Sequence, residues 1–317
     1  MAKIWGDKRY NSLNYYLRQK FKDKVFKISL DAGFSCPNRD GTLSRGGCIF
    51  CSERGSGDFT GKSRNLVKQF YEVKEMMNKK WKSGKYIAYF QAYTNTYAPV
   101  DVLREKYYSI LSLEDVVGIA IATRPDCLQD DVLNLLSEIN QKTYLWVELG
   151  LQTINEKTAE VINRGYGLET YIKAVNELKK RGIEVVTHVI FGLIGENKKD
   201  MINTVEFVAN TKTQGIKIHL LHLMKGTRLV DYYNRGELRF LSFDEYVDLV
   251  TDSINILPED MVIHRLTGDS PRELLIGPMW SLKKWEVLNE IDRRLKEKDI
   301  WQGKGYAENY EISKLFI

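Results

Sequence analysis

The stretch VFKISLDAGFSCPNRDGTLSRGGCIFC, Val25–Cys51, joins a mostly apolar run to a polar loop that contains three of the chain's four cysteines. The run VFKISL has the length and residue types of a short buried strand. Three cysteines cannot all pair with one another, so a disulfide framework is a poor explanation for the loop. The stretch therefore predicts a strand that ends in a loop suited to metal binding or to thiol chemistry.

Similar runs recur along the chain, each followed by a helix-compatible stretch. The six predicted strands are VFKISL, YIAYFQA, VVGIAIAT, YLWVELGL, IEVVTHVIFGL and IKIHLLHLM, which together extend from Val25 to Met224. Near-continuous apolar strands that alternate with helices indicate an α/β protein with a parallel sheet covered by helices. Six units are too few for a closed eight-stranded barrel, which leaves a partial barrel or an open doubly wound sheet. In both, the carboxyl ends of the strands form the active face.

The units divide the chain into three parts. We assign residues 1–24 to an N-terminal arm, 25–224 to the βα units and 225–317 to a C-terminal α/β extension. In the extension, Ser242 and Glu245 have the spacing of a helix capping box, and MVIHRLTG is typical of a strand. We expect the extension to close the open side of the sheet and to contribute to the substrate side of the site.

Composition and charge indicate which classes of protein the chain can belong to. No apolar run approaches the roughly 20 residues of a membrane span, and the start MAKIWGDKRY lacks the apolar stretch of a secretory signal. We therefore expect a cytoplasmic protein with reduced cysteines and no membrane partner. Residues 1–85 contain 19 Lys and Arg against 8 Asp and Glu, whereas the whole chain contains 47 against 42. This basic first quarter predicts an anionic partner such as nucleic acid, with a merely solvated surface as the alternative.

The three clustered cysteines, Cys36, Cys48 and Cys51, have the spacing C-x11-C-x2-C. Thiolates are ligands for zinc and for iron–sulfur clusters. A structural zinc site needs a fourth protein ligand, and the nearest remaining candidates, Cys127 and His188, lie on other predicted strands. Three ligands without an adjacent fourth fit a four-iron cluster with one open iron. Zinc and free thiols remain alternatives at this point.

The cysteine loop and the six βα units resemble the radical S-adenosylmethionine (SAM) superfamily. In that superfamily three cysteines bind a [4Fe-4S] cluster, SAM chelates the fourth iron, and reductive cleavage of SAM yields a 5′-deoxyadenosyl radical. The resemblance implies a partial (βα)6 barrel in which Cys36, Cys48 and Cys51 bind the cluster. The usual spacing is C-x3-C-x2-C, so the eleven-residue first gap is a departure similar to the variant loops of certain subfamilies.

The stretch VELGLQTINEKTAEVINRGY resembles the fourth-strand motif of oxygen-independent coproporphyrinogen oxidases and of the elongator catalytic subunit. In those families the glutamine and the arginine contact SAM, which implies SAM contacts for Gln152 and Arg164. An amide at a strand end can reach the polar groups of ribose or methionine, and a guanidinium can pair with a carboxylate. Glu148 in the same strand is costly to bury without a polar partner, so we expect a cofactor contact or an ion pair with Arg164.

Two further motifs supply cofactor candidates. THVIFGLIGEN resembles the fifth-strand motif and places His188 where relatives carry a ribose-contacting residue; a satisfied core histidine is the alternative. YFQAYTNTYAP ends the second strand where relatives bind the SAM amino group, although its Asn, Thr and Pro residues are also turn formers. The cofactor candidates in this second motif are Gln91, Thr94, Asn95 and Thr96, and either Tyr93 or Tyr97 is a candidate for contact with adenine or substrate.

IATRPDCL resembles the TRPD stretch of the elongator subunit and places Arg124, Asp126 and Cys127 at the end of the third strand. Cys127 is a candidate thiol behind the site, a hydrogen donor or a buried hydrophobic residue. With Tyr97, it completes the pair of candidate catalytic residues.

The stretches SLDAGFSCPNRDG, GGCIFC, FQAYTNTYAP and HRLTGDSP resemble the YhcC/YtqA (MnmL) type of radical SAM protein. Members of that type have been linked to the wobble uridine of tRNA. The resemblance implies conversion of 5-carboxymethylaminomethyluridine to 5-aminomethyluridine, with a flavodoxin or ferredoxin-type electron donor. Two alternatives remain: a radical SAM enzyme that acts on a peptide or small metabolite, and a non-catalytic zinc-containing RNA-binding protein.

Overall fold

Seven parallel strands form one sheet in the computed structural model, which describes residues 2–55, 57–58, 60–61, 63–79 and 84–316. Met1, the cysteine-loop residues Ser56 and Phe59, Lys62, residues 80–83 and Ile317 lie outside the described residues. The strands are β1 (Val25–Leu30), β2 (Lys85–Phe90), β3 (Val116–Thr123), β4 (Tyr144–Gln152), β5 (Glu184–Phe191), β6 (Gly215–Leu220), β7 (Leu223–Met224), β8 (Val262–Arg265) and β9 (Leu275–Gly277). The order in the large sheet is β1-β2-β3-β4-β5-β6-β8, and β7 pairs with β9 separately in an antiparallel ribbon.

Helices connect successive strands of the large sheet, as the alternating pattern predicts. They are α1 (Leu13–Phe21), α2 (Leu66–Asn78), α3 (Val100–Leu111), α4 (Asp130–Lys142), α5 (Glu156–Val161), α6 (Leu168–Lys180), α7 (Lys198–Ala209), α8 (Leu229–Asn234), α9 (Phe243–Ile256), α10 (Lys284–Glu297) and α11 (Tyr310–Ser313), with 3-10 helices at Met279–Leu282 and Lys314–Phe316. In the part of the chain that the structure describes, no helix has both the length and the apolar character that a membrane crossing requires.

The sheet is curled into a partial barrel. Lys217 on β6 and Tyr89 on β2 lie four strands apart in the sheet order, which would separate their backbones by about 19 Å in a flat sheet. The Lys217 Nζ atom is nevertheless 3.0 Å from the Tyr89 hydroxyl. Two side chains cannot close that distance across a flat surface, so the sheet must bend around its inner face. The predicted partial barrel is confirmed, and the open doubly wound sheet is excluded.

The barrel contains one strand more than the six predicted βα units. The stretch MVIHRLTG forms β8, which pairs parallel to β6 through Gly215 and Val262. The N-terminal arm also joins this edge, since Ser12 bridges Ile263 and α1 packs against β8 and β1. The N-terminal arm and the C-terminal extension therefore meet at the β8 edge of the sheet, and closure of the barrel by the extension remains a prediction.

The two faces of each strand have different roles. On β3, Ile119 and Ile121 pack into the main core beneath the helices, whereas Ala120 and Ala122 face the barrel interior. Successive side chains of a strand point to opposite faces, so this alternation follows directly from the sequence. The small inward residues leave space inside the barrel, which is where the cavities lie.

Gly118 provides a test of this close packing. A Cβ atom at Gly118 would lie 2.5 Å from the Tyr144 carbonyl oxygen and 2.9 Å from Ile87 Cδ1. We expect Gly118→Ala to lower the free energy of unfolding by about 1–3 kcal/mol, because the backbone of β3 must move away from β4. Gly167, where a Cβ atom would meet nothing within 4 Å, supplies the matched control Gly167→Ala. Urea unfolding followed by far-ultraviolet circular dichroism measures both, and equal losses would contradict the packing argument.

Candidate active site at the carboxyl ends of the strands

A cavity at the carboxyl ends of the strands brings the cysteine loop together with polar strand ends. A second, adjoining cavity shares Cys51, Gln91, Gln152 and His188 with the first, so the two form one crevice. Among the predicted site residues, those that line the first cavity are Cys36, Cys48, Cys51, Gln91, Thr94, Glu148, Gln152 and His188. Eight of the thirteen candidates, from four separate parts of the chain, therefore meet at one place.

The eleven residues between Cys36 and Cys48 form a compact turn and hairpin. The backbone N–H groups of Arg39 and Asp40 donate to the Cys36 carbonyl oxygen, at 2.8 and 3.2 Å, and Asp40 forms a β-bridge with Arg45. The Cys51 N–H then donates to the Cys48 carbonyl at 3.1 Å. The long gap is thus folded back on itself, which allows all three thiols to face the same cavity.

The segment after α5 and the start of α8 hold this loop in place. Asn163 Nδ2 donates to the Gly47 carbonyl at 2.8 Å, and the Ile49 N–H donates to the Ile162 carbonyl at 3.1 Å. The Arg228 guanidinium also donates to the Gly47 carbonyl. Gly47 has φ +75°, and a Cβ atom there would lie 2.8 Å from Arg39 Nε, so both its backbone and its surroundings require glycine.

The loop favours the thiolate form of one cysteine. A hydrogen bond from the Cys51 thiol, followed by the charge of Arg124 and a contact from Asn38, lowers the pKa of Cys48 to about 7 despite its burial. The Asn38 Nδ2 atom lies 3.6 Å from the Cys48 sulfur. The same hydrogen bond raises the pKa of Cys51, so the pair shares one proton. Thiolate is the form that binds metal, and the site is prepared for it.

The two metal hypotheses require different arrangements of the thiols. A single zinc ion requires its ligands to converge at about 2.3 Å. In a four-iron cluster each cysteine binds a different iron, so the sulfur atoms surround a larger core. Cys36, Cys48 and Cys51 all line one cavity, as a cluster held by three cysteines requires.

The loop after β2 contains both cavity-lining and structural residues. Gln91 and Thr94 line the first cavity. Asn95 is fully buried, and its Nδ2 atom donates to the carbonyl oxygens of Phe90, at 3.0 Å, and Ala122, at 2.9 Å. Thr96 is also buried, and its hydroxyl lies 2.5 Å from the Cys127 carbonyl oxygen. Asn95 and Thr96 line neither cavity and instead join the ends of β2 and β3, as turn-forming residues do.

The two candidate catalytic residues lie outside the lining of both cavities. The Tyr97 hydroxyl is 2.8 Å from the Thr42 hydroxyl of the cysteine hairpin. Cys127 is 3% exposed, and burial raises the pKa of its thiol to about 12, so the thiol is neutral at physiological pH. The contact of Tyr97 supports the cysteine hairpin, and the burial of Cys127 is that of a hydrophobic residue. The catalytic assignment of both remains a prediction that no contact supports.

Gln152 ends β4 in an unusual conformation. Its φ is +68°, and the register of β4 with β5 shifts between Gly150 and Gln152. A positive φ is uncommon for a residue with a side chain, and such strain concentrates at ligand sites. The shift directs Gln152 into the crevice, where it lines both cavities.

The Arg164 guanidinium donates to backbone carbonyls and to a carboxylate of the protein itself. Its Nη1 atom donates to the carbonyl oxygens of Leu151, at 2.9 Å, and Thr153, at 2.7 Å, and its Nε atom donates to the Tyr166 carbonyl at 2.9 Å. The Nη2 atom lies 3.3 Å from both carboxylate oxygens of Glu156. Arg164 is 1% exposed and lines neither cavity. It therefore fixes the backbone that follows β4, and the contact with SAM remains a prediction.

Glu148 lies at the centre of a buried polar network, but its partner is not Arg164. Its carboxylate forms an ion pair with Lys217 and accepts hydrogen bonds from the Trp146 indole and from His188 Nε2, both at 2.9 Å. The alternative of a Glu148–Arg164 ion pair is wrong, because Arg164 points towards the carbonyl oxygens after β4. Burial raises the pKa of Glu148, but Lys217 and Lys27 outweigh it and hold the carboxylate ionised. Burial lowers the pKa of His188 to about 4, so the neutral ring donates its Nε2 proton to Glu148.

The sequence interpretation missed several residues that line the cavity. They are Tyr89, Arg124, Tyr166, Lys217, His219 and Arg265, of which Arg124 was noted as part of the TRPD motif and Arg265 as part of HRLTGDSP, where it would face the pocket or cap the fold. Lys217 carried a readable signal, since it is the one charged residue in the apolar run IKIHLL. The same reasoning that singled out Glu148 in β4 applies to it. Tyr166 gave no such signal, because nothing in the sequence shows that its ring lies 4.8 Å from the Arg124 guanidinium.

Comparisons with known proteins agree with the motifs. The radical SAM superfamily matches residues 41–208, and the radical SAM C-terminal domain matches residues 213–297. YtqA of Bacillus subtilis is 57% identical over 310 residues, which are 98% of this chain and 96% of YtqA. YhcC of Escherichia coli is 38% identical over 285 residues, or 90% of this chain and 91% of YhcC.

More distant relatives share part of the chain. The tRNA uridine(34) acetyltransferase of Methanocaldococcus jannaschii is 28% identical over 185 residues, or 57% of this chain and 33% of the acetyltransferase. The structure of archaeal Elp3 from Methanocaldococcus infernus superposes with a TM-score of 0.66 at 17% identity, covering 88% of this chain and 64% of Elp3. At that identity the superposition establishes the fold alone.

The cluster assignment predicts opposite outcomes for two cysteines. Cys48→Ala removes a cavity-lining thiol, and we expect protein purified without oxygen to lose its iron, its acid-labile sulfide and its absorption near 400 nm. Cys127→Ala removes the buried thiol and is the control that should retain all three. Iron and sulfide analysis measures both variants, and an intact cluster in Cys48→Ala would refute the ligand assignment.

Arg164→Ala tests the role of the buried guanidinium. The substitution removes the buried side-chain donor to the carbonyl oxygens of Leu151, Thr153 and Tyr166, so we expect the free energy of unfolding to fall by about 2–4 kcal/mol. By the resemblance we also expect the variant to keep its cluster and to bind SAM more weakly. Arg293→Ala, at a half-exposed position on α10, is the control. Denaturant titration and SAM binding are measured separately; unchanged SAM affinity would remove Arg164 from the cofactor contacts, and unchanged stability would refute its structural role.

Proposed function

Because the chain belongs to the radical SAM superfamily, we propose that it is a tRNA-modifying enzyme that converts 5-carboxymethylaminomethyluridine at the wobble position to 5-aminomethyluridine. Proteins of this superfamily use a [4Fe-4S] cluster and SAM. Membership in the superfamily and similarity to YtqA and YhcC are established by the comparisons, and archaeal Elp3 shares the fold. The specific substrate, the electron donor of flavodoxin or ferredoxin type and the cytoplasmic location are our proposal.

The residues of the crevice suit the two cofactors. Cys36, Cys48 and Cys51 would hold the cluster, while Gln91, Thr94, Gln152 and His188 offer amide, hydroxyl and imidazole groups to the polar parts of SAM. When bound, the cluster and SAM supply a radical that abstracts a hydrogen atom from the substrate. The protein contributes position and shelter, because the cavity lies inside the curled sheet beneath the cysteine loop.

The observation that carries the tRNA proposal is the positive charge of the part of the chain that contains the cysteine loop. Residues 1–85 contain 19 Lys and Arg against 8 Asp and Glu, and the three thiols of this part line the cavity. Phosphate groups of RNA are held mainly by Lys and Arg side chains. A basic surface of this kind would hold the phosphate backbone while a base enters the cavity. The name of the acetyltransferase relative, which refers to uridine 34 of tRNA, supports the same class of substrate.

Nucleoside mass spectrometry of tRNA tests the proposal. We expect a deletion strain to accumulate 5-carboxymethylaminomethyluridine and to lose the 5-aminomethyl nucleoside and any nucleosides made from it. Complementation with the wild-type gene should restore the profile, and the Cys48→Ala gene should not. An unchanged nucleoside profile in the deletion strain would contradict the proposed reaction.

A measurement on the purified protein separates tRNA from other substrate classes. We expect tRNA from the deletion strain to increase the formation of 5′-deoxyadenosine from SAM, and tRNA from the parent strain, which is already modified, to increase it less. Peptides should have no effect. Stimulation by peptides but not by tRNA would favour the alternative of a peptide-modifying enzyme.

A further inference from the structure

The barrel interior contains more positive than negative charge. Six ionisable residues of the interior and its opening form what we term the interior charge cluster. Lys27, Glu148 and Lys217 are its largely buried members, and Arg265, Asp269 and Lys284 are its partly exposed ones. Glu148 is shared between Lys217, which bonds it directly, and Lys27, whose Nζ atom is 4.0 Å from Glu148 Oε1. Asp269 is likewise shared between Arg265, at 3.0 Å, and Lys284, at 2.9 Å. Four cations therefore share two carboxylates.

This imbalance is costly in the interior. Lys217 is 2% exposed and Glu148 is 1% exposed, so water does not screen their charges. Burial lowers the pKa values of Lys27 and Lys217, and the nearby positive charge of Arg265 lowers both further. An anion placed between these cations would remove the repulsion and stabilise their charged forms.

The crevice contains hydrogen-bond donors that would bind such an anion. Lys217 donates to Glu148 and to the Tyr89 hydroxyl, and an ammonium group has three protons to donate. The Nε2 atoms of His219 and His222 are buried and have no hydrogen-bond partner among the described residues. Lys217 lines the first cavity, His222 lines the second, and His219 and Arg265 line both. The two cations and the two histidines with unpaired Nε2 atoms therefore lie where the two cavities join.

We propose that this junction is the binding site for a carboxylate of the substrate, held by Lys217 and Arg265 with a further hydrogen bond from His219. The inference rests on the proposed function and specifies how its substrate is recognised, since the carboxymethylaminomethyl group ends in a carboxylate. The reacting group of the substrate would then be anchored by its terminal charge.

The second cavity suits the positively charged amine of the same carboxymethylaminomethyl group. A carboxymethylaminomethyl side chain is an N-substituted glycine, with a secondary ammonium next to the carboxylate. Asp58 and Asp269 line the second cavity, and the Ser52 hydroxyl bonds Asp58 at 3.0 Å. Two carboxylates beside a pair of cations match a zwitterion, because each pole meets the opposite charge.

Binding of a matched pair of nucleosides tests the site. The probes are free 5-carboxymethylaminomethyluridine and its methyl ester, which removes the negative charge at the expense of one added methyl group. They are titrated calorimetrically into the cluster-loaded protein without oxygen and with SAM saturating, so that the site of the methionine carboxylate is already filled. We expect the acid to bind at least tenfold more tightly than the ester.

Three single variants assign that preference to the interior charge cluster. In Lys217→Met and in Arg265→Gln the ratio of acid to ester affinity should fall close to one. The control is Lys180→Met, which removes an exposed lysine on α6 and should leave the ratio unchanged. Since Lys217→Met leaves Glu148 without its main partner, Lys217→Met/Glu148→Gln restores the charge balance if the single variant does not fold. Arg265 is 30% exposed in its side chain, so its loss is less damaging to the fold.

A second pair of probes separates this inference from the proposed function. An N-acetylated tripeptide with a free carboxyl terminus and its amide present the same difference in charge on another scaffold. If only the peptide pair shows a preference that Lys217→Met and Arg265→Gln remove, the carboxylate site stands and the uridine substrate is wrong. If the acids bind no more tightly than their neutral partners, or if the variants keep the preference, the carboxylate site is overturned, whatever the tRNA profile of the deletion strain shows.

Discussion

The buried ion pair between Glu148 and Lys217 is the interaction on which the interior of the barrel depends. It joins β4 to β6 across β5, and His188 on the intervening strand donates to the same carboxylate. A buried charge that loses its partner is strongly destabilising, so these side chains hold one another in a single arrangement. The curl of the sheet, which places Lys217 next to Tyr89 of β2, brings all these groups to the same point.

The strands and helices could be predicted from the sequence because each one arises from a local pattern of residues. The six apolar runs became β1 to β6, since a run buried on both faces needs no long-range information to be recognised. The seventh strand shows the limit of that reasoning. MVIHRLTG was predicted as a strand, but its place beside β6 depends on pairing between Gly215 and Val262, which no local pattern specifies. The same holds for the bridge from Ser12 to Ile263.

The candidate site was predictable in its chemistry and less so in its geometry. Cys36, Cys48 and Cys51 follow from spacing, and the structure brings them to one cavity with Gln152. Polar residues at strand ends are harder to interpret, because a side chain can turn towards a ligand or towards a carbonyl group of its own backbone. Asn95, Thr96 and Arg164 all turned inwards to carbonyl groups. Lys217 was overlooked although it interrupts an apolar strand just as Glu148 does.

One strand shows how closely stability and function are connected here. Along β4, Trp146 and Glu148 face the barrel interior, where the indole donates to the carboxylate, and Gly150 lines the cavity above them. The register shift after Gly150 then sends Gln152 into the crevice with φ +68°. The charge network and the strained glutamine are separated by only four residues of one rigid strand. The interior charge network and the cofactor face therefore share the backbone of β4, and the strand that carries the buried Glu148 also positions Gln152 in the crevice.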